Sequence, residues 1–237
     1  LGDFLHSLNV TGGIINPGSL LNHLYARFKL PSLRAQQDSH EFLIELLDQL
    51  KFDGPKQSLT SDKKHVILQS TRMYESLMAQ SVRCVKCGYN SGMTISIHSI
   101  FHLHSIESSV KTSIKKFLDW EPIDGLCTMC HQQGLVRRWN ILKLAKTLIV
   151  HMNRVVMCEG RVTRDRTKVK MSKTVIVNGK RYQLDAWIEH GGAINSGHYY
   201  TVKSHNGLWY ELSDTSCKPF DFTSVMHEPY LCLFVQE

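Results

Sequence analysis

Four of the seven cysteines occur as two pairs in which two residues separate the thiols. The pairs are Cys84 with Cys87 and Cys127 with Cys130. Each pair can turn both thiolates toward one metal ion, and two pairs together complete a tetrahedral four-sulfur set, the ligand set of structural Zn²⁺. The sequence therefore predicts a structural zinc site. Four reduced thiols without metal and a redox-active pair are the alternatives.

The other three cysteines are Cys158, Cys217 and Cys232. An odd total argues against a fully paired disulfide framework. Alternation of apolar residues over 230–235 predicts that Cys232 lies in a buried strand, whereas Cys158 and Cys217 are interpreted as loop or core thiols. Reduced thiols together with zinc predict an intracellular setting, in the cytosol or the nucleus.

A second candidate for chemistry is His198, which follows a glycine at the start of a predicted strand. If the chain forms a hairpin around Asn206 and Gly207, the end of the next strand, Ser213 and Asp214, returns to the level of this histidine. A side-chain oxygen there could hold Nδ1–H of the imidazole and leave Nε2 to accept a proton from a nucleophile. A surface histidine without a catalytic role is the alternative.

The elements that must position these residues follow from hydrophobic periodicity. Helices are predicted over 19–29 and 36–51, the second capped by Asp38 or Ser39, and a short helix begins at Ser109. Residues 52–64 are predicted to form a polar loop. Helices first and antiparallel strands later indicate an α+β fold. Strands are predicted over 74–83, 94–103, 148–152, 174–177, 182–190, 198–203 and 230–235, and the histidines at 151 and 190 are interpreted as structural.

The net charge of +7 over 237 residues comes from one stretch. Residues 134–181 hold 13 basic and 2 acidic residues, and the rest of the chain is net acidic. We interpret this stretch as a solvated loop face, or else as a docking surface for an acidic partner. A nucleic-acid site would interleave aromatic residues with the cations, but the stretch offers only Trp139, so no nucleic-acid partner is expected. No apolar run reaches the roughly 18 residues that a membrane span needs.

Several segments together resemble the ubiquitin-specific protease family of deubiquitinases. Residues 36–43 (QQDSHEFL) are similar to its Q-Q-D-x-x-E-F-L box, and the two cysteine pairs are similar to its zinc ribbon. Residues 148–154 (LIVHMNR) and 182–191 (YQLDAWIEHG) resemble two of its strands. Residues 197–200 (GHYY) match its G-H-Y box, and 209–214 (WYELSD) resemble its W-x-x-x-[DN]-D end.

The resemblance implies an α+β, papain-like cysteine protease fold with a helical thumb, an antiparallel palm and zinc-ribbon fingers. It implies one catalytic domain over 1–237, incomplete at its N-terminus, with a partial thumb at 1–71, mainly fingers at 72–140 and the palm at 141–237. The implied activity is hydrolysis of the (iso)peptide bond after the C-terminal glycine of ubiquitin by a Cys–His–Asp/Asn triad. The implied partner is ubiquitin or a ubiquitinated protein, bound by a monomer.

The resemblance also assigns roles to individual residues. His198 is the expected general base. Gln37, Asp38 and Glu41 are expected to bind the substrate, because carboxylates suit the arginine-containing tail of ubiquitin. Tyr199 is expected to line the channel for that tail.

Two departures from the family pattern affect the catalytic residues. The third triad position is normally Asp or Asn, but Ser213 stands there, so we expect Ser213 to orient the imidazole and Asp214 to help it or to take its place. The family's nucleophile box is not found, since residues 1–35 contain no cysteine and the sequence begins at Leu1 rather than Met. We expect the nucleophile on an upstream segment. The alternative is a non-catalytic ubiquitin-binding protein with the same fold.

Overall fold

The computed structural model describes residues 16–28, 37–52, 73–158, 160–193, 196–222 and 226–237 of the protein. The chain divides into two compact units, residues 1–46 and 47–237. Apart from residue 52, which ends a helix, the predicted loop over 52–64 lies outside the described residues. In the described part of the chain, no helix has both the length and the apolar character that crossing a membrane requires.

Two helices, α1 (Gly18–Phe28) and α2 (Ser39–Phe52), belong to the N-terminal part of the chain. Asp38 caps α2, because its Oδ1 accepts the backbone N–H groups of His40 at 2.8 Å and Glu41 at 3.0 Å. These are donors that the first turn of a helix leaves unpaired. The predicted cap at Asp38 is confirmed, and the predicted start at residue 36 is wrong because the capping residue itself is not helical.

Helix α3 (Val110–Phe117) begins where the sequence predicts a helix start. Ser109 and Thr112 form a reciprocal capping box: the Ser109 side chain accepts the N–H of Thr112, and the Thr112 hydroxyl accepts the N–H of Ser109. Such a box satisfies two orphan donors at once. The helix buries Val110 and Ile114 against the large sheet's core.

Strands make up most of the remaining described chain. In chain order they are β1 (Ser76–Cys84), β2 (Asn90–His98), β3 (Ile100–Leu103), β4 (Glu121–Ile123), β5 (Leu135–Lys143), β6 (Thr147–Met152), β7 (Val155–Cys158), β8 (Arg161–Arg164), β9 (Val169–Lys170), β10 (Thr174–Val177), β11 (Lys180–Ala193), β12 (Ser196–His205), β13 (Leu208–Ser213), β14 (Ser216–Pro219), β15 (Met226–His227) and β16 (Pro229–Gln236). Each predicted strand is found, but the one predicted over 94–103 is two strands that break at Ser99. Its halves are β2 and β3, which belong to different sheets.

The strands form two main sheets. An antiparallel four-stranded sheet has the order β2-β1-β5-β4. An eight-stranded sheet has the order β14-β13-β12-β11-β16-β6-β3, with β10 paired to β11, and its one parallel pair is β3 with β6. Two further pairs are β7 with β8 and β9 with β15. The large sheet carries His198, and the small sheet carries the cysteine pairs at its end.

The core of the large sheet is aromatic. Trp187 of β11 is 1% exposed, and its ring lies 5.3 Å from that of Trp209 and 5.5 Å from that of Phe220. Burying such rings stabilises a fold through both apolar area and ring geometry. Tyr182 is fully buried, and its hydroxyl donates to the carbonyl of Ala145 at 2.7 Å. Because the two tryptophan rings come from β11 and β13, they join the strands that flank β12.

Arg154 is a buried cation that ties three chain segments together. Its side chain donates to the carbonyl of Pro229 at 2.8 Å and to those of Asp165 and Thr167 at 3.0 Å each. Burial lowers the pKa of its guanidinium. Hydrogen bonds that involve a charged group stabilise a fold more than neutral ones do. The three hydrogen bonds of Arg154 therefore contribute to the stability of the large sheet and the segments beside it.

We therefore expect Arg154→Met to lower the free energy of unfolding by about 3 kcal/mol, because it leaves three carbonyls without their donor. Urea denaturation followed by circular dichroism measures the change. Arg161→Met, at an exposed position on β8, is the matched control and should leave the midpoint unchanged. Equal midpoints for the two variants would contradict the role given to Arg154.

Candidate functional site

His198 and Ser213 meet at one end of the β12–β13 hairpin. His198 Nε2 lies 2.7 Å from Ser213 Oγ. The hairpin closes at His205 opposite Leu208, around Asn206 with φ of 51° and a glycine with φ of 79°. Both values fall in the left-handed region that tight hairpin turns require. The predicted hairpin is confirmed, and it brings the two polar residues together as predicted.

The ring nitrogen that faces Ser213 is the opposite of the predicted one. The expectation that Nδ1 meets the hydroxyl is wrong, because Nε2 does. Thr201 of β12 pairs with Leu212 of β13, and Ser213 follows Leu212. Ser213 is therefore displaced along the sheet from His198, and the far nitrogen of the ring is the one that reaches it. When Oγ accepts the Nε2 proton, the lone pair is on Nδ1, which is then the nitrogen able to take a proton.

Asp214 lies further from the imidazole than Ser213 does. Its Oδ2 is 3.9 Å from His198 Nε2, and its side chain is 81% exposed. Asp214 has φ of 50°, a conformation that aspartate tolerates in tight turns. At this distance and exposure it adds only a weak attraction to a protonated ring. Distance therefore favours Ser213 as the group that orients His198.

The strand beside β12 approaches the site closely. Gly191 and Gly192 of β11 pair with His198 and Gly197. A Cβ on Gly192, which has φ of 112°, would stand 2.7 Å from the Ser196 carbonyl. A Cβ on Gly197 would collide with the Gly191 carbonyl and with the ring of His190. Glycine is the residue that permits such an approach. The glycines thus fit the close pairing of β11 with the start of β12, where His198 lies.

Tyr199 lies beside a second tyrosine and a histidine. Its ring centroid is 4.5 Å from that of His190 and 5.9 Å from that of Tyr230. His151, which we interpreted as structural, is 7% exposed, and its ring lies 4.9 Å from that of Tyr230. These rings form a row across β11, β12, β16 and β6.

Sequence reasoning missed Glu189, a buried carboxylate next to the site. It accepts hydrogen bonds from Trp187 Nε1 at 2.9 Å and from the Tyr200 hydroxyl at 2.8 Å, and it lies 3.1 Å from His227 Nδ1. Burial raises its pKa, but the hydrogen bonds from His227, Trp187 and Tyr200 outweigh burial and hold the pKa below its ordinary value. Glu189 thus ties β11 to β12 two residues from Gly191. A charged residue at an inward position of an apolar strand was the available signal.

The four paired cysteines come together at the end of the small sheet. The Sγ atoms of Cys84 and Cys130 are 3.7 Å apart, as are those of Cys87 and Cys127, and all four lie within 4.8 Å of one another. Zinc–sulfur bonds of about 2.3 Å in a tetrahedron place the sulfurs about 3.8 Å apart. The donor set and its spacing therefore fit a structural zinc ion.

Backbone groups around these thiols favour negative charge on two of them. The N–H of Lys86 points at Cys84 Sγ at 3.4 Å, and that of Met129 points at Cys127 Sγ at the same distance. Backbone N–H groups, those of Cys87 and Lys86, lower the pKa of Cys84 to about 7. The backbone N–H of Tyr89 acts in the same direction on Cys87, but burial and the neighbouring thiols outweigh it and raise the pKa to about 12. A divalent cation would supply the charge that four clustered thiolates need.

The remaining cysteines lie elsewhere. Cys232 is 1% exposed on β16, which confirms the predicted buried strand, and burial raises its pKa. Cys217 is exposed on β14, opposite Leu212. The side chain of Cys158 lies outside the described residues.

The residues predicted to bind substrate lie in or just before the first turn of α2, apart from Tyr199. Asp38 and Gln37 are half-buried, and Glu41 is exposed. Asp38 Oδ1 accepts the N–H of Glu41, so the two acidic residues lie together at the start of the helix. A helix N-terminus favours carboxylates, so both charges are stabilised there.

The basic stretch over 134–181 is not a loop, so that part of the interpretation is wrong, but most of its lysines and arginines are exposed, as a solvated face requires. The stretch contains strands from β5 to the start of β11. Two of its arginines pair with acidic side chains of the fold: Arg137 lies 2.6 Å from Glu121, and Arg181 lies 2.9 Å from Glu237. Part of the excess charge therefore has partners within the fold.

The large sheet thus carries the contact between His198 and Ser213, and the small sheet carries the cluster of four cysteines. The sequence model of the family described as ubiquitin carboxyl-terminal hydrolase matches residues 1–234. The chain therefore belongs to the ubiquitin carboxyl-terminal hydrolase family, which confirms the resemblance stated from its motifs.

Curated relatives agree with this family. Human ubiquitin carboxyl-terminal hydrolase 3 is 24% identical over 261 residues, which cover 88% of this chain and 50% of that protein. The probable ubiquitin carboxyl-terminal hydrolase 8 of Schizosaccharomyces pombe is 21% identical over 228 residues, covering 93% of this chain and 50% of that protein. The chain thus spans about half the length of these relatives.

Solved structures share the fold. The Ubp8-Sgf11-Sgf73-Sus1 SAGA DUB module superposes with a TM-score of 0.74 at 17% identity, covering 94% of this chain and 53% of that chain. The SAGA Ubp8/Sgf11/Sus1/Sgf73 DUB module bound to ubiquitin aldehyde gives 0.67 at 20% identity, covering 86% of this chain and 50% of that chain. At these identities the likeness concerns the fold.

Proposed function

We propose that this chain is the ubiquitin-recognising and proton-transferring part of a thiol-dependent deubiquitinase, which hydrolyses (iso)peptide bonds after the C-terminal glycine of ubiquitin. The observation that carries the proposal is the 2.7 Å contact between His198 and Ser213 at the open end of the β12–β13 hairpin, in a chain of this family. The complex of a structural neighbour with ubiquitin aldehyde supports ubiquitin as the partner.

The proposed steps assign one task to each nitrogen of His198. Ser213 Oγ accepts a hydrogen bond from Nε2–H and so fixes the ring. Nδ1 then takes the proton of the nucleophilic thiol, and the resulting thiolate attacks the scissile carbonyl. The resulting imidazolium then gives this proton to the leaving amine. A hydroxyl stabilises an imidazolium less than a carboxylate does, and Asp214, 3.9 Å from Nε2, adds part of the missing charge.

The nucleophilic thiol is proposed to lie outside these 237 residues. Residues 1–35 contain no cysteine, Cys232 is buried in β16, and Cys217 lies on β14, two strands from β12. The four clustered thiols fit a zinc site, where the ion would crosslink the small sheet. We further propose an intracellular monomer with a thumb over 1–71, fingers mainly over 72–140 and a palm over 141–237.

A covalent ubiquitin probe tests the catalytic proposal. The protein is expressed from the coding sequence upstream of Leu1 and treated with ubiquitin that carries a C-terminal propargylamide. We expect a stable adduct, visible as a mass shift and mapped to one upstream cysteine. Binding of ubiquitin without any adduct would instead establish the non-catalytic alternative.

Ubiquitin binding should depend on the charge of Asp38. Asp38→Asn keeps a side-chain oxygen that can cap α2 but removes the negative charge, so we expect weaker binding by about tenfold, the loss of one charge-assisted contact, with little loss of stability. Calorimetric titration with ubiquitin measures the dissociation constant. Asp48→Asn makes the same chemical change further along α2 and serves as control. Equal affinities for both variants and the wild type would remove Asp38 from the binding site.

A further inference from the structure

Two arginines from the basic stretch converge on the end of β11, which pairs with the start of β12 at His198. Arg164, the last residue of β8, directs Nη2 to the carbonyl of His190, and its Nη1 lies 3.4 Å from the carbonyl of Gly192. Arg166 Nη2 donates to the same Gly192 carbonyl at 2.9 Å. The carbonyls on both sides of Gly191 are therefore held by cations, and Gly191 is the residue that pairs with His198.

Arg164 also holds a side chain of β11. Its Nη1 lies 2.6 Å from His190 Nδ1. A guanidinium only donates hydrogen bonds, so Nδ1 of His190 must be the acceptor, and the ring is neutral with its proton on Nε2. The same ring packs where a Cβ of Gly197 would stand. The guanidinium thereby fixes a ring that presses on the residue directly before His198.

Arg164 makes its hydrogen bonds in a mostly buried environment rather than at the surface. Its side chain is 9% exposed, whereas that of Arg166 is 59% exposed. Glu228 Oε2 lies 3.9 Å from each guanidinium and partly balances their charge. Low exposure makes such hydrogen bonds stronger and their loss more costly than at the surface.

We propose that Arg164 is a positioning residue for His198, acting through the His190 ring and the carbonyls on either side of Gly191, with Arg166 in support. Its relevance to catalysis rests on the proposed function, but its effect on the geometry of His198 does not. The competing view is that Arg164 only attaches the β7–β8 hairpin to the large sheet. The two views differ in what happens at His198 when the guanidinium is removed.

The test compares Arg164→Gln with Arg164→Lys and with the control Arg161→Gln, an exposed arginine at the other end of β8. Imidazole NMR signals and amide hydrogen exchange are recorded on the chain itself. For Arg164→Gln we expect shifted His190 and His198 ring signals. We also expect exchange at the Gly192 and His198 amides at least about tenfold faster, while amides of β6 and β16 keep their rates because the opening is local.

Arg164→Lys should give a smaller change in the same direction, because an ammonium keeps the charge but cannot reach the ring and both carbonyls together. If Arg164→Gln does not fold, the lysine variant decides the question by the same signals. Unchanged His198 signals, with changes confined to the β7–β8 hairpin, would overturn the proposal.

A kinetic measurement adds a readout that separates this inference from the proposed function. In the form of the protein that reacts with the ubiquitin probe, Arg164→Gln should lower kcat by about tenfold or more while KM changes less, since misplacing a proton-transfer group affects the chemical step. If the wild type neither binds nor cleaves ubiquitin, the proposed function fails, yet the NMR comparison still decides the role of Arg164.

Discussion

We expect that replacing Cys84 by serine abolishes zinc binding and disorders the four-stranded sheet. Cys84 ends β1, and Cys127 and Cys130 lie between β4 and β5, so the metal would join the ends of strands that are distant in sequence. Structural zinc contributes about 10–16 kcal/mol of apparent binding free energy in small zinc-dependent folds. This is comparable to the roughly 5–15 kcal/mol that stabilises a whole domain. No single apolar contact in the small sheet can replace it.

Metal analysis and circular dichroism check this prediction. We expect one zinc ion per wild-type chain and none in Cys84→Ser, together with a lower melting temperature. A chelator should give the same loss in the wild type. Cys217→Ser removes an exposed thiol outside the cluster and should keep both metal and stability. A wild-type protein that contains no zinc after purification in its presence would contradict the site.

The second large effect is expected at His198. In the form of the protein that carries the nucleophile, His198→Gln should lower kcat by about 10³-fold, because it removes the group that takes and returns the proton. Hydrolysis of a fluorogenic ubiquitin substrate measures the rate. His205→Gln changes an exposed histidine at the other end of β12 and is the matched control, which should retain the full rate.

The hydroxyl that orients His198 should matter less than the ring. Ser213→Ala removes one hydrogen bond, worth about 0.5–1.5 kcal/mol, so we expect a rate loss of roughly tenfold or less. Ser213→Asp restores the acidic residue of the family pattern and should equal or exceed the wild-type rate. If Ser213→Ala loses nothing and Asp214→Asn loses more, then Asp214 rather than Ser213 orients the imidazole.

Motifs and local periodicity predicted much of this molecule. The capped start of α3 at Ser109, the strands over 148–152 and 174–177, and the hairpin at Asn206 are all encoded by neighbours in sequence, and all are confirmed. The proximity of the two thiols within each pair followed from their spacing, since each pair needs only one short turn, whereas the pairing of β1 with β5 brings the two pairs together. The family followed from the order of the motifs along the chain.

Predictions failed where the answer depends on contacts between distant segments. The segment over 94–103 looks like one alternating strand, yet it changes sheets at Ser99, because its halves have different partners in β1 and β6. The basic stretch looks like a solvated loop, yet its strands place Arg154 and Arg164 against backbone carbonyls. Charge along the sequence does not show which acceptors the fold will supply.

By itself, the sequence determined the family, the helices, part of the strands and the residues whose chemistry could matter, because periodicity and motif spacing reflect interactions over a few residues. It did not predict β4, β5 or β7 to β9. Only the tertiary structure decided that Nε2 of His198 faces Ser213, that Glu189 ties β11 to β12, and that Arg164 contacts the carbonyls on either side of Gly191. Each of these depends on sheet register, and a shift of one residue in register would turn the side chains to the other face.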